Sequence, residues 1–455
     1  MTNSILSPKT FKSYSLGCRT NQAEAETISI KLMNYGLRQS KPGEVPDFIF
    51  LNTCVVTQKA ERETRKEIRL LKRRYPKSKL IVLGCGVNAK EKYKISLPEA
   101  GLFISNENKN RVIDLIEENF SSFSKEKPDV SLKNMYVLSG RKFIKIQEGC
   151  DNFCTFCLTS LLRGKPESTP LNEIVKEINF WVSRGVKEII LTGINISLYG
   201  KDLEEKISLK ELIEKILKES SVRRITLSSI YPQMLTSSFI SLVLNSPRVT
   251  KSFHLSLQSA SPGVLERMGR ETDLGKLKEI LKELKEKEPV FSLRADFIAG
   301  FPEETKEEFN ETISFIKETG IAFAHVFTFS ARKGTAAFNL IKESEWREIP
   351  EEIKKQRALE ITNTVLKTRA GEAKKLIGTT SPALMVRKVK DSFEGLISNN
   401  WPIYIKSKLK SEDLKGKIVP VKITGFKENQ LLGEIISLPK QSLKTAGTLT
   451  VPSGC

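Results

Sequence analysis

The sequence predicts an α/β protein in three parts: an open parallel α/β sheet, a partial (β/α)6 barrel and a small β-barrel. Two observations carry the first two parts. Short apolar runs alternate with helix-length segments through residues 1–125, and again through residues 138–375. That is the pattern of parallel strands joined by helices. The third part follows from a change of pattern over residues 379–437, where short strands alternate with turns. The polar segment Ser121–Ser131 reads as a linker, and residues 438–455 as a disordered tail.

In the first region, Phe11–Leu16, Asp47–Asn52 and Lys79–Gly84 read as strands, the last two as apolar runs of a buried parallel sheet. Helices fall near Glu24–Tyr35 and Ala60–Arg74. The second region offers six strands: Lys142–Gln147, Glu188–Thr192, Arg223–Ser228, Ser252–Leu257, Phe291–Phe297 and Phe323–Phe329. Helices such as Leu171–Arg184 and Lys306–Glu318 separate them, and chemistry is expected at the carboxyl ends of these strands. Glu351–Lys375 reads as a long charged helix leading to the third region. There, Ala383–Arg387, Phe393–Ile397, Ile403–Ile405 and Ile418–Ile423 read as strands.

Composition narrows the function classes. Hydrophobic residues make up 39% of the 455 and charged residues 28%, as in ordinary soluble domains. No apolar run approaches the roughly 20 residues of a membrane span, and Met1–Lys12 is too polar for a signal peptide. A cytoplasmic location is the expectation. The net charge of +20 suits a polyanionic partner such as RNA.

The seven cysteines say more. A large cytoplasmic chain keeps its thiols reduced, so grouped cysteines read as metal ligands or reactive thiols. Only two histidines are present, His254 and His325, so thiolates are left as the main ligands. Each histidine by itself reads as a packed strand residue. Cys18, Cys54 and Cys85 each follow one of the first three strands within two residues. Ligand sites of open parallel sheets lie beyond the strands' carboxyl ends, so these three are expected to converge. The plainer reading is three small buried side chains. Cys150, Cys154 and Cys157 form a Cys-x3-Cys-x2-Cys loop directly after the first barrel strand. Such a loop offers three thiolates to a four-iron cluster and leaves the fourth iron open. A zinc ion would want a further Cys or His nearby, and the sequence has none there. Cys455 reads as a terminal residue without a role.

The cysteine loop resembles that of the radical S-adenosylmethionine (SAM) superfamily. Further motifs resemble its methylthiotransferase family across roughly residues 11–437. They are Gly17-Cys-Arg-Thr-Asn21, Asn52-Thr-Cys-Val-Val-Thr57, Leu83-Gly-Cys85, Arg163-Gly164, Leu191-Thr-Gly-Ile-Asn195, Ser228-Ser-Ile-Tyr-Pro232, His254-Leu-Ser-Leu-Gln-Ser259 with Arg267-Met268, and Asp296-Phe-Ile-Ala-Gly-Phe-Pro302. The resemblance implies a radical SAM barrel, a TRAM-like C-terminal barrel, SAM and two [4Fe–4S] clusters. Phe156 resembles the aromatic position that meets the adenine of SAM. Gly193, Asn195, Ser229, Gln258 and Asp296 complete the expected cofactor-binding set. Gly193 frees space for close backbone approach, and Asp296 and Gln258 are expected near strand ends, although each also reads as a structural residue.

The first two cysteine motifs resemble most the branch that adds a methylthio group to C2 of N6-threonylcarbamoyladenosine at tRNA position 37. The implied partners are tRNA, an electron donor and a sulfur source, the latter two unidentified. Branches acting on isopentenyladenosine or on a ribosomal protein are the enzyme alternatives, and an RNA-binding iron–sulfur redox sensor is the alternative of another class. Leu158-Thr-Ser160 stands where the family often has Ile-Pro, which leaves the shape of that loop open. A basic helix after Cys54, with Arg69, Arg73 and Arg74, reads either as an RNA-facing surface or as a solvated helix face.

Overall fold

A computed structural model describes residues 9–120, 140–407 and 414–437. The expected linker, the expected tail and Cys455 lie outside the described residues.

The N-terminal region runs β1 (Thr10–Ser15), α1 (Arg19–Tyr35), β2 (Arg38–Gln39), β3 (Phe48–Thr53), α2 (Gln58–Arg74), β4 (Lys79–Gly84), α3 (Cys85–Tyr93), β5 (Leu102–Ile104) and α4 (Val112–Asn119). Its five strands form one parallel sheet in the order β2-β1-β3-β4-β5. Both faces are covered, which explains the unbroken apolar runs. Phe48, Phe50, Ile81 and Leu83 pack with Ile28 and Leu32 of α1 and Val112 and Ile116 of α4. Ile49, Leu51, Leu80 and Val82 pack on the other face with Ile68 and Leu71 of α2.

The central region adds β6 (Arg141–Glu148), α5 (Thr159–Arg163), β7 (Glu167–Ser168), α6 (Leu171–Ser183), β8 (Glu188–Gly193), α7 (Leu209–Glu219), β9 (Arg224–Leu227), α8 (Ser237–Asn245), β10 (Ser252–Gln258), α9 (Pro262–Arg267), α10 (Leu274–Lys287), β11 (Ser292–Ala299), α11 (Lys306–Thr319), β12 (Ile321–Thr328), α12 (Ala336–Lys342) and α13 (Glu351–Lys374). β6, β8 and β9 pair in parallel, as do β10, β11 and β12. Parallel bridges from Ile225 to Val249 and from Ile230 to Leu255 join the two halves into one curled wall of six strands. Ile144, Leu191, Phe253, Leu255, Leu293 and Ala295 face the helices and form the largest core. The alternate positions, among them Glu188, Arg224, Thr226, His254, Arg294, Asp296 and His325, turn inward, so the barrel's inside is polar.

The C-terminal region is a closed barrel of β13 (Thr380–Val389), β14 (Ser392–Ile397), β15 (Pro402–Lys406), β16 (Ile418–Lys427) and β17 (Gln430–Ile435), ordered β13-β14-β15-β17-β16. Strand β17 escaped the sequence reading. It follows β16 through Glu428 and Asn429, both at positive φ (52° and 60°), so the hairpin turns without the usual glycine signal.

One turn of this small barrel plugs the larger one. Arg224 donates to the carbonyls of Ile397 (2.8 Å) and Leu396 (3.2 Å) and to Asn400 Oδ1 (3.1 Å). Trp401 meets Phe323 edge-on, with ring centroids 4.9 Å apart. These contacts reach residues near the amino ends of the strands and leave the carboxyl ends for chemistry.

Candidate functional site

Strands β1, β3 and β4 lie side by side, so the residues after them meet at one sheet edge. Cys18 occupies the N-cap of α1, Cys54 follows β3, and Cys85 opens α3. Gly17 lets the first loop close on the second: its φ is +90°, and a Cβ there would sit 2.7 Å from Cys54 Sγ. Cys54 and Cys85 are buried and Cys18 is exposed. Burial pushes the Cys54 thiol up to about 12, and the neighbouring Cys85 and Cys18 add to the push. Thiols in this setting ionise together only around a cation, as metal ligands do.

The second group sits in the loop after β6. Cys150 N–H donates to the Gly164 carbonyl (3.1 Å), and Cys157 N–H to the Cys154 carbonyl (2.9 Å). Each sulfur has its own donor. Asn195 Nδ2 lies 3.8 Å from Cys150 Sγ, Arg270 Nη1 3.6 Å from Cys154 Sγ, and Thr159 N–H 3.3 Å from Cys157 Sγ. Burial pushes the Cys150 and Cys157 thiols up. Three clustered sulfurs, each with a donor to take up negative charge, fit a thiolate-held iron–sulfur cluster.

The two groups are held against each other. Val55 and Cys85 from the N-terminal sheet pack with Leu158 and Leu162, which follow Cys157. Beside them lies Arg163, whose side chain is 1% exposed. Its guanidinium donates to Glu24 Oε1 (2.7 Å), Glu148 Oε1 (2.8 Å) and Asn21 Oδ1 (2.6 Å), and its Nε donates to Cys85 Sγ (3.2 Å). One arginine from the barrel's cysteine loop thereby binds a cysteine of the other site. Sequence reading had Arg163 only as a motif letter, weighed Asn21 with Glu24 as a helix cap, and left Arg270 unmarked. Their roles depend on contacts between elements far apart in sequence, which no local pattern encodes.

The expected cofactor positions distribute as follows. Phe156 packs edge-on against Phe301 at 6.3 Å. Gly193 ends β8, where a Cβ would sit 2.7 Å from the Gln147 carbonyl. Asn195 is buried, and its N–H donates to Gln147 Oε1 (2.7 Å). Gln258 ends β10 at a register shift and holds a positive φ of 74°, a strained position of the kind that gathers at ligand sites. Ser229 is half-buried, whereas the neighbouring Ser228 is buried with an unpartnered hydroxyl. Thr192 has the same orphan hydroxyl. These polar groups without protein partners suit a polar ligand such as SAM.

Asp296 has a setting of its own. It lies three residues inside the end of β11, and both histidines of the chain converge on it. His254 Nε2 is 2.8 Å and His325 Nδ1 3.0 Å from Asp296 Oδ1. Burial pushes the Asp296 carboxyl up, but the two histidines outweigh it and hold the carboxyl below its usual range. Both histidines sit within strands and are hydrogen-bonded, as the sequence suggested, and the fold adds that they share one carboxylate. The three strands that join them are adjacent only in the fold.

On α2, Arg69, Arg73 and Arg74 are exposed, opposite the buried Thr64, Ile68 and Leu71. No helix among the described residues is long and apolar enough to cross a membrane.

A parallel barrel with a Cys-x3-Cys-x2-Cys loop at its first strand defines a radical SAM protein, and the radical SAM superfamily matches residues 144–316. Residues 10–104 match an uncharacterized protein family, UPF0004. The threonylcarbamoyladenosine tRNA methylthiotransferase of Aquifex aeolicus is 31% identical over 90% of this chain and 98% of its own length. Its counterpart from Rickettsia prowazekii is 33% identical over 75% of this chain and 79% of its own. The tRNA-2-methylthio-N(6)-dimethylallyladenosine synthase of Clostridium botulinum (strain Okra / Type B1) is 30% identical over 92% and 95%. The chain belongs to the family of radical SAM tRNA methylthiotransferases.

Proposed function

We propose that this enzyme replaces the C2 hydrogen of N6-threonylcarbamoyladenosine, at position 37 of tRNA, with a methylthio group. The observation that carries the reading is the pairing of two cysteine triads through Arg163. Relatives named for the threonylcarbamoyl substrate, and the motifs around Cys18 and Cys54, favour this branch over the dimethylallyl one.

Cys150, Cys154 and Cys157 would hold one [4Fe–4S] cluster with SAM, and Cys18, Cys54 and Cys85 a second. When bound, the first supplies a carbon-centred radical from SAM and the second a sulfur for transfer. Around them the chain's residues orient and shield. Arg270, Asn195 and the Thr159 N–H direct donors at the radical-site sulfurs. Arg163 does so at Cys85 and fixes the separation of the two sites. Thr192, Ser228, Gln258 and Asn195 would contact SAM, a reading supported by the orphan hydroxyls of Thr192 and Ser228 and the positive φ of Gln258. Electrons and sulfur come from partners outside the chain. The exposed arginines of α2 would bind tRNA phosphates.

Mass spectrometry of tRNA nucleosides from a strain lacking this protein tests the reading. Methylthiolated threonylcarbamoyladenosine should vanish and the unmethylthiolated form accumulate. Loss of methylthiolated dimethylallyladenosine instead would assign the chain to the other branch.

A further inference from the structure

A cavity of about 260 Å³ opens between the inner barrel wall, α13 and the start of α1. Arg19, Arg294, Arg369, His254, His325 and Phe323 line it. Its charge is one-sided. The two carboxylates that face it are already engaged, Asp296 by both histidines and Glu188 by Arg141 and Arg224. Arg294 and Arg369 stack on the Phe323 ring at 3.9 Å and 4.3 Å, which fixes their planes. Nε of each is buried and without a partner. The Arg19 guanidinium makes no hydrogen bond or ion pair with any described residue. Burial, with repulsion from Arg19 and Arg369, pushes the Arg294 guanidinium down to about 9. Crowded guanidiniums with open donors call for an anion. Arg19 directly follows Cys18, so one wall of the cavity is joined by a single residue step to the N-terminal cysteine site.

We propose that this cavity binds the carboxylate of the threonylcarbamoyl group, with Arg19 as the determinant that favours this substrate over one bearing an apolar dimethylallyl group. The inference rests on the threonylcarbamoyl reading above. The group hangs from N6 of the adenine and ends in a carboxylate that planar guanidiniums pair with well. A dimethylallyl group brings no charge to offset the arginines.

The test uses reconstituted holoenzyme and anticodon stem-loops carrying threonylcarbamoyladenosine as the free acid or as its methyl ester. Wild-type enzyme should prefer the acid by about ten- to a hundredfold in kcat/KM, the range of one charge-assisted hydrogen bond. Arg19→Met should cut acid turnover by about that factor, leave ester turnover at the wild-type level and so abolish the preference. Arg369→Met, on the opposite wall of the cavity, should shift the preference the same way. Equal use of acid and ester by the wild type would overturn the proposal. So would equal loss on both in Arg19→Met, which would give these cations to RNA phosphates. Turnover of a dimethylallyladenosine stem-loop, with neither threonylcarbamoyl substrate accepted, would fail the substrate reading itself and is distinguishable from both.

Discussion

At the scale of single residues, the site turns on buried arginines. Burial pushes the Glu24 carboxyl up, but Arg163, Lys109 and Lys145 outweigh it and hold it well below the usual carboxylate range. Arg163 is itself raised, because Cys85, Glu24 and Glu148 overcome its burial. Such an assembly is stable only while complete. Arg163→Met should therefore lower the stability of the full chain by about 1.5–3 kcal/mol, the range of hydrogen bonds to charged groups, since Glu24 and Glu148 lose their buried guanidinium and keep only Lys109 and Lys145. An unchanged denaturant midpoint would show that these carboxylates find other partners. The six cysteines of the two triads could be picked out from spacing because each follows a strand or shares one loop. Arg163, Arg270 and the His254–Asp296–His325 group could not, because their meaning arises only when separate elements meet.

At the scale of elements, the pattern of the sequence carried most of the strands and helices, since covered parallel strands and amphipathic helices write their burial into local composition. What it missed has local causes. β2 and β5 are two and three residues long, and β17 follows a turn without glycine. The contact of the barrel with the C-terminal turn includes one buried pair. Glu188 Oε1 accepts from Arg224 Nε (2.9 Å) and from Thr226 Oγ1 (2.6 Å). Burial raises the Glu188 carboxyl, and Arg224 and Arg141 outweigh it, so its folded value is depressed. Its contribution to stability is therefore present above its unfolded value of about 4.3, and is lost as pH falls through the folded value. Glu188→Gln should be less stable than wild type at neutral pH and should lose less on acidification below about pH 4.3. Parallel stability curves for the two proteins between neutral and acid pH would count against this linkage. The α2 arginines make a second element-scale prediction. Changing Arg69, Arg73 and Arg74 to Ala should weaken tRNA binding and reduce the slope of log affinity against log salt by about one per lost phosphate contact. An unchanged slope would leave these residues as a solvated helix face.

At the scale of the whole molecule, three folds are arranged around one task. The N-terminal sheet brings three cysteines to its edge, and the central barrel brings three to the end of its first strand. Arg163 and the Val55–Leu162 cluster lock the two edges together, while the C-terminal barrel plugs the far mouth. The central claim is that the triads divide the work, one serving radical formation and the other sulfur transfer. The most direct test measures SAM cleavage and methylthiolated product together, in reconstituted wild-type, Cys54→Ala and Cys150→Ala enzymes supplied with reductant and tRNA. Wild type should show both activities, Cys150→Ala neither, and Cys54→Ala cleavage without product. Methylthiolated product from Cys54→Ala, or equal loss of cleavage in both folded variants, would contradict the division.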